Sequence, residues 1–198
     1  MDLLKKSFEL AKKPTDAVKL KGKANLTPAI ILLALMGAIS MGISSFAQGV
    51  FSFNITGAVT GLVMGAILGA ILVPIVNLVF HGLVYLLAKA MGGKGTYTQQ
   101  VYLVTLATVT ASILIMLLGV IPCLGTLIVL VGGLYLLYVE VVVVRDLHQI
   151  TTLKAAVAVV VPIIVLVLVA AFVAAVMFAA LFAAMLGGGA MGAAYSGY

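Results

Sequence analysis

Asn77, His81 and Tyr85 recur at intervals of four, a spacing that sets all three on one face of a helix. Glu140 stands five residues before Arg145, roughly 7–8 Å deeper along a helix that rises 1.5 Å per residue. Tyr85 precedes Lys89 by four residues, about 6 Å by the same rise, which brings it near the depth of Glu140. An amide, an imidazole, a phenol and a carboxylate at similar depth could form a proton or ion path. They could equally form a hydrogen-bonded network that fixes helix packing. The carboxylate is expensive to bury, since Asp, Lys and Arg cost about 2.5–3.5 kcal/mol at the centre of an inserted helix.

Other chemistries find little support. The two histidines, His81 and His148, lie far apart, and Cys123 is the single cysteine, so no metal-ligand spacing or disulfide arises. No paired-carboxylate motif is present, and neither a metal, a cofactor nor an enzymatic activity is expected. Gly92-Gly93-Lys94-Gly95-Thr96 resembles a fragment of a phosphate loop, but the required glycine spacing and preceding strand are missing. It reads as a turn.

The elements that carry these residues follow from composition. Of 198 residues, 65% are hydrophobic and 8% charged, against roughly 25% charged in a soluble domain. Such a chain cannot clothe a soluble globule, and it is too apolar to be disordered. Asp, Glu, Lys and Arg are absent from 24–88, 95–139 and 155–198. A membrane-crossing helix needs about 20 residues, so the first two blocks each hold a pair, with breaks at 48–54 and 119–125. The third holds one more. The expected fold is an all-α, polytopic membrane protein, with five transmembrane helices in a bundle.

Seven lysines precede Ala24, and the remaining basic residues are Lys89, Lys94, Arg145 and Lys154. The positive-inside rule then places the N-terminus in the cytoplasm and the C-terminus outside. The basicity suits anionic lipid headgroups, and without a basic stripe interleaved with aromatics no nucleic-acid partner is expected. No secretory signal peptide pattern precedes the first span. Three regions result: a basic cytoplasmic segment over 1–23, the membrane domain over 24–186, and a Gly-rich tail over 187–198, expected to be flexible.

Leu3, Leu4, Phe8 and Ala11 recur at helical spacing among lysines, so the N-terminus reads as an amphipathic helix for the headgroup layer, ended by Pro14. Thr27-Pro28 reads as an N-cap and first helical residue. The second hydrophobic segment, about 55–91, is longer than a bilayer requires. Within it Gly57, Gly61, Gly65 and Gly69 repeat every four residues. They form a ridge against which another backbone can pack, inside the protomer or across a homo-oligomer interface. In the fifth span, about 155–186, Ala170, Ala171, Ala174, Ala175, Ala179 and Ala183 suit close helix contact.

Several segments together resemble the Yip family of Ypt/Rab-interacting membrane proteins. Gly92-Gly93-Lys94-Gly95-Thr96-Tyr97-Thr98-Gln99-Gln100 is similar to that family's loop between the second and third spans. Arg145-Asp146-Leu147-His148-Gln149-Ile150, with Thr152-Leu153-Lys154-Ala155, resembles the segment joining the fourth and fifth. Ile121-Pro122 with Gly125 resembles its outer turn, and Lys13-Pro14-Thr15-Asp16-Ala17-Val18 its entry segment. The resemblance implies a five-helix bundle with an inward N-terminus. For eukaryotic relatives it also implies binding of Rab-type GTPases and roles in vesicle formation. This sequence departs from them in lacking a long N-terminal region and an Asp-Leu-Tyr-Gly-Pro motif, so GTPase binding is not carried over. The short form resembles prokaryotic members.

Three functions are therefore open: a non-catalytic scaffold that binds membrane proteins or organises lipid, a small transporter or channel using Asn77, His81 and Glu140, and an accessory subunit of a larger membrane complex. The setting is an integral membrane: the cell membrane in a prokaryote, or an endomembrane in a eukaryote.

Overall fold

The computed structural model describes residues 2–121 and 123–194. Helix α1 (Asp2–Lys12) leads into a 3₁₀ segment, Pro14–Lys23, and the chain continues as α2 (Leu26–Phe51), α3 (Ile55–Ala90), α4 (Tyr97–Gly119), α5 (Leu124–His148) and α6 (Thr152–Ala194). Among the described residues all regular structure is helical, and α2 to α6 are each long and apolar enough to cross a membrane. Lipid leaves the backbone no partner but itself. That is why the β-branched run Val141–Val144 stays helical inside α5. The chain divides into two compact units, the first ending at Val159 and the second beginning at Val160.

Local chemistry sets the helix ends. α2 begins one residue before Thr27: Asn25 is its N-cap and accepts the Thr27 N–H at 2.9 Å. The expected Thr27 cap is thus displaced, since an Asn side chain caps a helix at least as well as Thr. Asn54 caps α3 by accepting the Gly57 N–H at 2.8 Å. Thr96 and Gln99 cap α4 reciprocally, each side chain accepting the other's backbone N–H at 3.3 and 3.1 Å. This capping box starts α4 at Tyr97, four residues before the expected Val101. The turn into α5 carries Cys123 in the left-handed region (φ 63°), and Gly125 donates to the Ile121 carbonyl at 2.7 Å.

The glycine ridge is spent inside the protomer. α2 and α3 form an antiparallel hairpin in which Gly37 faces Gly69, and a Cβ on either would overlap the other's carbonyl oxygen. One turn on, a Cβ at Gly65 would lie 2.8 Å from Ser45 Oγ, and one at Gly61 would lie 3.2 Å from the Ser45 carbonyl. Gly57 does not belong to this seam. A Cβ there would meet its own cap, Asn54 Nδ2, at 2.6 Å, and it is Ala58 that faces Gly49. A strict four-residue repeat drifts around a helix of 3.6 residues per turn, so the fourth member leaves the seam and serves the turn instead.

Residues 2–23 form a strap along α4 and α5. The Ser7 hydroxyl lies 2.6 Å from that of Thr110 and accepts the Thr110 N–H at 3.3 Å. The Tyr135 hydroxyl donates to the Ala11 carbonyl. Ser7, Leu10, Pro14 and Ala17 are buried, and Gln99 Nε2 donates to the Lys21 carbonyl at 3.4 Å. α1 ends at Lys12, next to Pro14 as expected, but it is seated on helices rather than lying apart from them.

In the second unit, residues 167–183, which include the six alanines, are exposed. α6 runs on through Gly187–Gly189 to Ala194, where the sequence suggested an end at Leu186 and a flexible tail. Glycine lacks a side chain but keeps its N–H, and no proline interrupts this stretch. Residues 195–198 of that tail, and Pro122 of the turn, lie outside the described residues.

Candidate functional site

A knot of polar side chains joins α3, α4 and α5 near the end of the bundle that carries Lys89, Lys94, Arg145 and Lys154. At its centre is Gln100, fully buried. Its Nε2 donates to the His81 carbonyl at 3.0 Å, and its Oε1 lies 2.9 Å from His148 Nε2. An amide oxygen can only accept, so the His148 proton sits on Nε2. His148 Nδ1 is left without a partner.

Glycine makes room for that imidazole. A Cβ at Gly93 would come within 2.5 Å of His148 Nδ1 and 2.7 Å of the Ala88 carbonyl; one at Gly95 would meet Leu147 Cγ at 2.7 Å. Gly92 turns the chain in the left-handed region (φ 91°). The Lys94 N–H then donates to the His148 carbonyl at 3.0 Å, and Lys154 Nζ donates to the Met91 carbonyl at 3.2 Å. The two segments 92–100 and 145–154 are therefore bound to each other.

This corrects the reading of Arg145 and His148 as loop residues. α5 continues one turn past Val144, because Gln149 adopts a left-handed cap (φ 56°) from which its N–H reaches the Arg145 carbonyl. His148 is thereby buried inside the bundle. Arg145 Nε pairs with its neighbour Asp146 at 2.6 Å. Lys94 and Lys154 remain at the exposed rim.

The four intramembrane candidates separate. His81 and Glu140 come together, Nδ1 to Oε1 at 3.3 Å, with only 4% and 13% of their side chains exposed. That separation suits an ion pair but is misaligned for a hydrogen bond, so both atoms lack a hydrogen-bond partner. Tyr85 lies instead against His148 and Tyr97, with ring centroids 6.0 and 5.9 Å apart, and Lys89 Nζ stands 5.9 Å from its ring. Asn77 turns back onto its own helix and donates to the Val73 carbonyl at 2.9 Å.

Gln100 and Tyr97 stand in the loop that resembles the family's, but the sequence did not single them out as site residues. Tyr97 donates its hydroxyl to the Leu78 carbonyl at 2.9 Å, and Thr105 Oγ1 is buried without a partner. The Thr96-x-x-Gln99 capping pattern was the available signal, since a helix starting at Tyr97 carries Gln100 in its first turn. Chemically, the knot can hold helix ends together. Among the described residues no cluster of three metal-ligating side chains occurs.

The chain matches the Yip1 domain over residues 15–175. No curated protein and no solved structure matches it. The matched region takes in all but the last part of the five apolar helices and both segments that close around His148. The chain is an integral membrane protein that belongs to the Yip1 domain family.

Proposed function

We propose that this protein is a non-catalytic membrane scaffold, with its basic end in the cytoplasm as a platform for other membrane proteins. The supporting observation is the closure of segments 92–100 and 145–154 around His148 and Gln100. Buried polar groups that are bonded to one another specify a single arrangement. Here they hold an exposed rim of Lys89, Lys94 and Lys154 in fixed positions. Gly61, Gly65 and Gly69 of the ridge are covered by α2, so a partner is expected at this rim rather than along that face of α3.

Mild purification from native membranes after cross-linking, followed by identification of associated chains, tests the reading. A specific membrane protein should co-purify, and its recovery should fall severalfold in Lys94→Glu/Lys154→Glu, whose changes lie at the rim. An isolated chain with no specific companion would sink the scaffold, and with it the role of an accessory subunit.

The buried His81–Glu140 pair favours one second reading, a proton-coupled carrier. Under it, flux in reconstituted vesicles should follow the proton gradient and drop at least tenfold in Glu140→Gln. Flux that is unchanged in that variant removes Glu140 from any transport role.

A further inference from the structure

The seat of the N-terminal strap is deep. Ser7 meets Thr110, which lies thirteen residues from the start of α4 at Tyr97. Ala11 meets Tyr135, which lies thirteen residues from the end of α5 at His148. At 1.5 Å per residue, each places α1 about 20 Å from the basic end. The 3₁₀ segment runs back the same way: from Pro14 to Lys21, at about 2 Å per residue, it covers about 14 Å toward the Lys21–Gln99 contact. Docked α1 therefore lies alongside the membrane-spanning lengths of α4 and α5 rather than at their basic end.

The outward side of α1 does not suit that depth. Lys6, Glu9, Lys12 and Lys13 are exposed, and Lys12 Nζ stands 4.3 Å over the ring of Phe8. A lysine can extend its ammonium toward an interface only along the length of its own stem, well short of 20 Å. The polar contacts between the strap and α4 and α5 include one hydroxyl pair with its N–H, one tyrosine to a carbonyl, and one amide to a carbonyl. Thr110 loses little on release, since a helix threonine can bond back to its own helix as Thr108 does with Val104 at 2.8 Å.

We propose that residues 2–23 exchange between this seat on α4 and α5 and the anionic lipid surface at the basic end, with lipid charge deciding which position is populated. On the surface the same helix keeps its apolar side in the acyl boundary and its lysines among headgroups. Each lysine near an anionic surface contributes about fivefold to that side of the equilibrium. Leaving the seat uncovers α4 around Thr110 and α5 around Tyr135.

The test is a Ser7→Cys/Thr110→Cys pair in a Cys123→Ser chain, oxidised in vesicles of phosphatidylcholine alone and of phosphatidylcholine with phosphatidylglycerol. The cross-link should form in neutral vesicles and fall on the order of tenfold in anionic ones. Adding Lys6→Gln, Lys12→Gln and Lys13→Gln should restore it. Free glycerol phosphate, added to neutral vesicles at matched ionic strength, should leave it unchanged. Equal cross-linking in the two lipids overturns the proposal, as does a loss caused by free phosphate or a failure of the glutamine variants to restore it. A single Ser7→Cys, carrying a fluorophore read by depth-graded quencher lipids, provides a measurement free of the pairing. A depth that does not respond to lipid charge overturns the proposal as well. Neither readout depends on a protein partner, so it stands or falls apart from the scaffold reading.

Discussion

Gly69→Val should unfold at markedly lower temperature in detergent than the parent chain and be recovered poorly from membranes. Inserting atoms into a packed core typically costs 1–3 kcal/mol, and a site where even a Cβ overlaps a partner's carbonyl belongs at about the top of that range. Gly69 is such a site, with the backbone of Gly37 against it. Relief requires α2 and α3 to separate along their whole seam, since Gly65 and Gly61 hold Ser45 in the same register. Gly82→Ala is the matched control: it lies in the same helix with nothing within 4 Å of an added Cβ. The control should melt like the parent or slightly higher. Similar melting of Gly69→Val and Gly82→Ala would refute close backbone packing as the source of the hairpin's stability.

Gln100→Leu should lose about 1–3 kcal/mol, the usual cost of leaving a buried polar group without its partner. The substitution removes the acceptor for His148 Nε2 and the donor to the His81 carbonyl together. Adding His148→Leu should recover part of that loss, because removing both partners of a buried bond can be close to neutral. Unfolding curves of the four chains in the cycle would give the coupling, expected on the order of 1 kcal/mol or more. Proteolysis at 92–96 should accelerate in Gln100→Leu as the turn loosens. Strictly additive losses would show that Gln100 and His148 act independently.

The architecture was legible because lipid imposes a harsh rule on composition. A chain without charge over 24–88 must hide its backbone in helices, and the breaks at 48–54 and 119–125 had to be turns. The site was only partly legible. Spacing alone could align Asn77, His81 and Tyr85 on one face of α3, but it could not say which neighbour each would meet. His81 found Glu140, whereas Asn77 bonded its own helix and Tyr85 turned toward His148. Gln100 and His148 were both read as loop residues for a shared reason. Both lie at helix ends, where a residue belongs to the loop or to the bundle according to one cap, and the caps at Thr96 and Gln149 lengthened both helices at the basic end.

The fit of His148 between Gly93 and Gly95 also bears on how these positions change over descent. None of the three can be replaced alone without either a clash or an emptied space. A lineage that acquires a side chain at 93 should carry a smaller residue at 148, and one that loses the imidazole should be released from glycine at 93 and 95. The three positions are thus expected to be inherited as a single character, although more than fifty residues of sequence separate the first from the last.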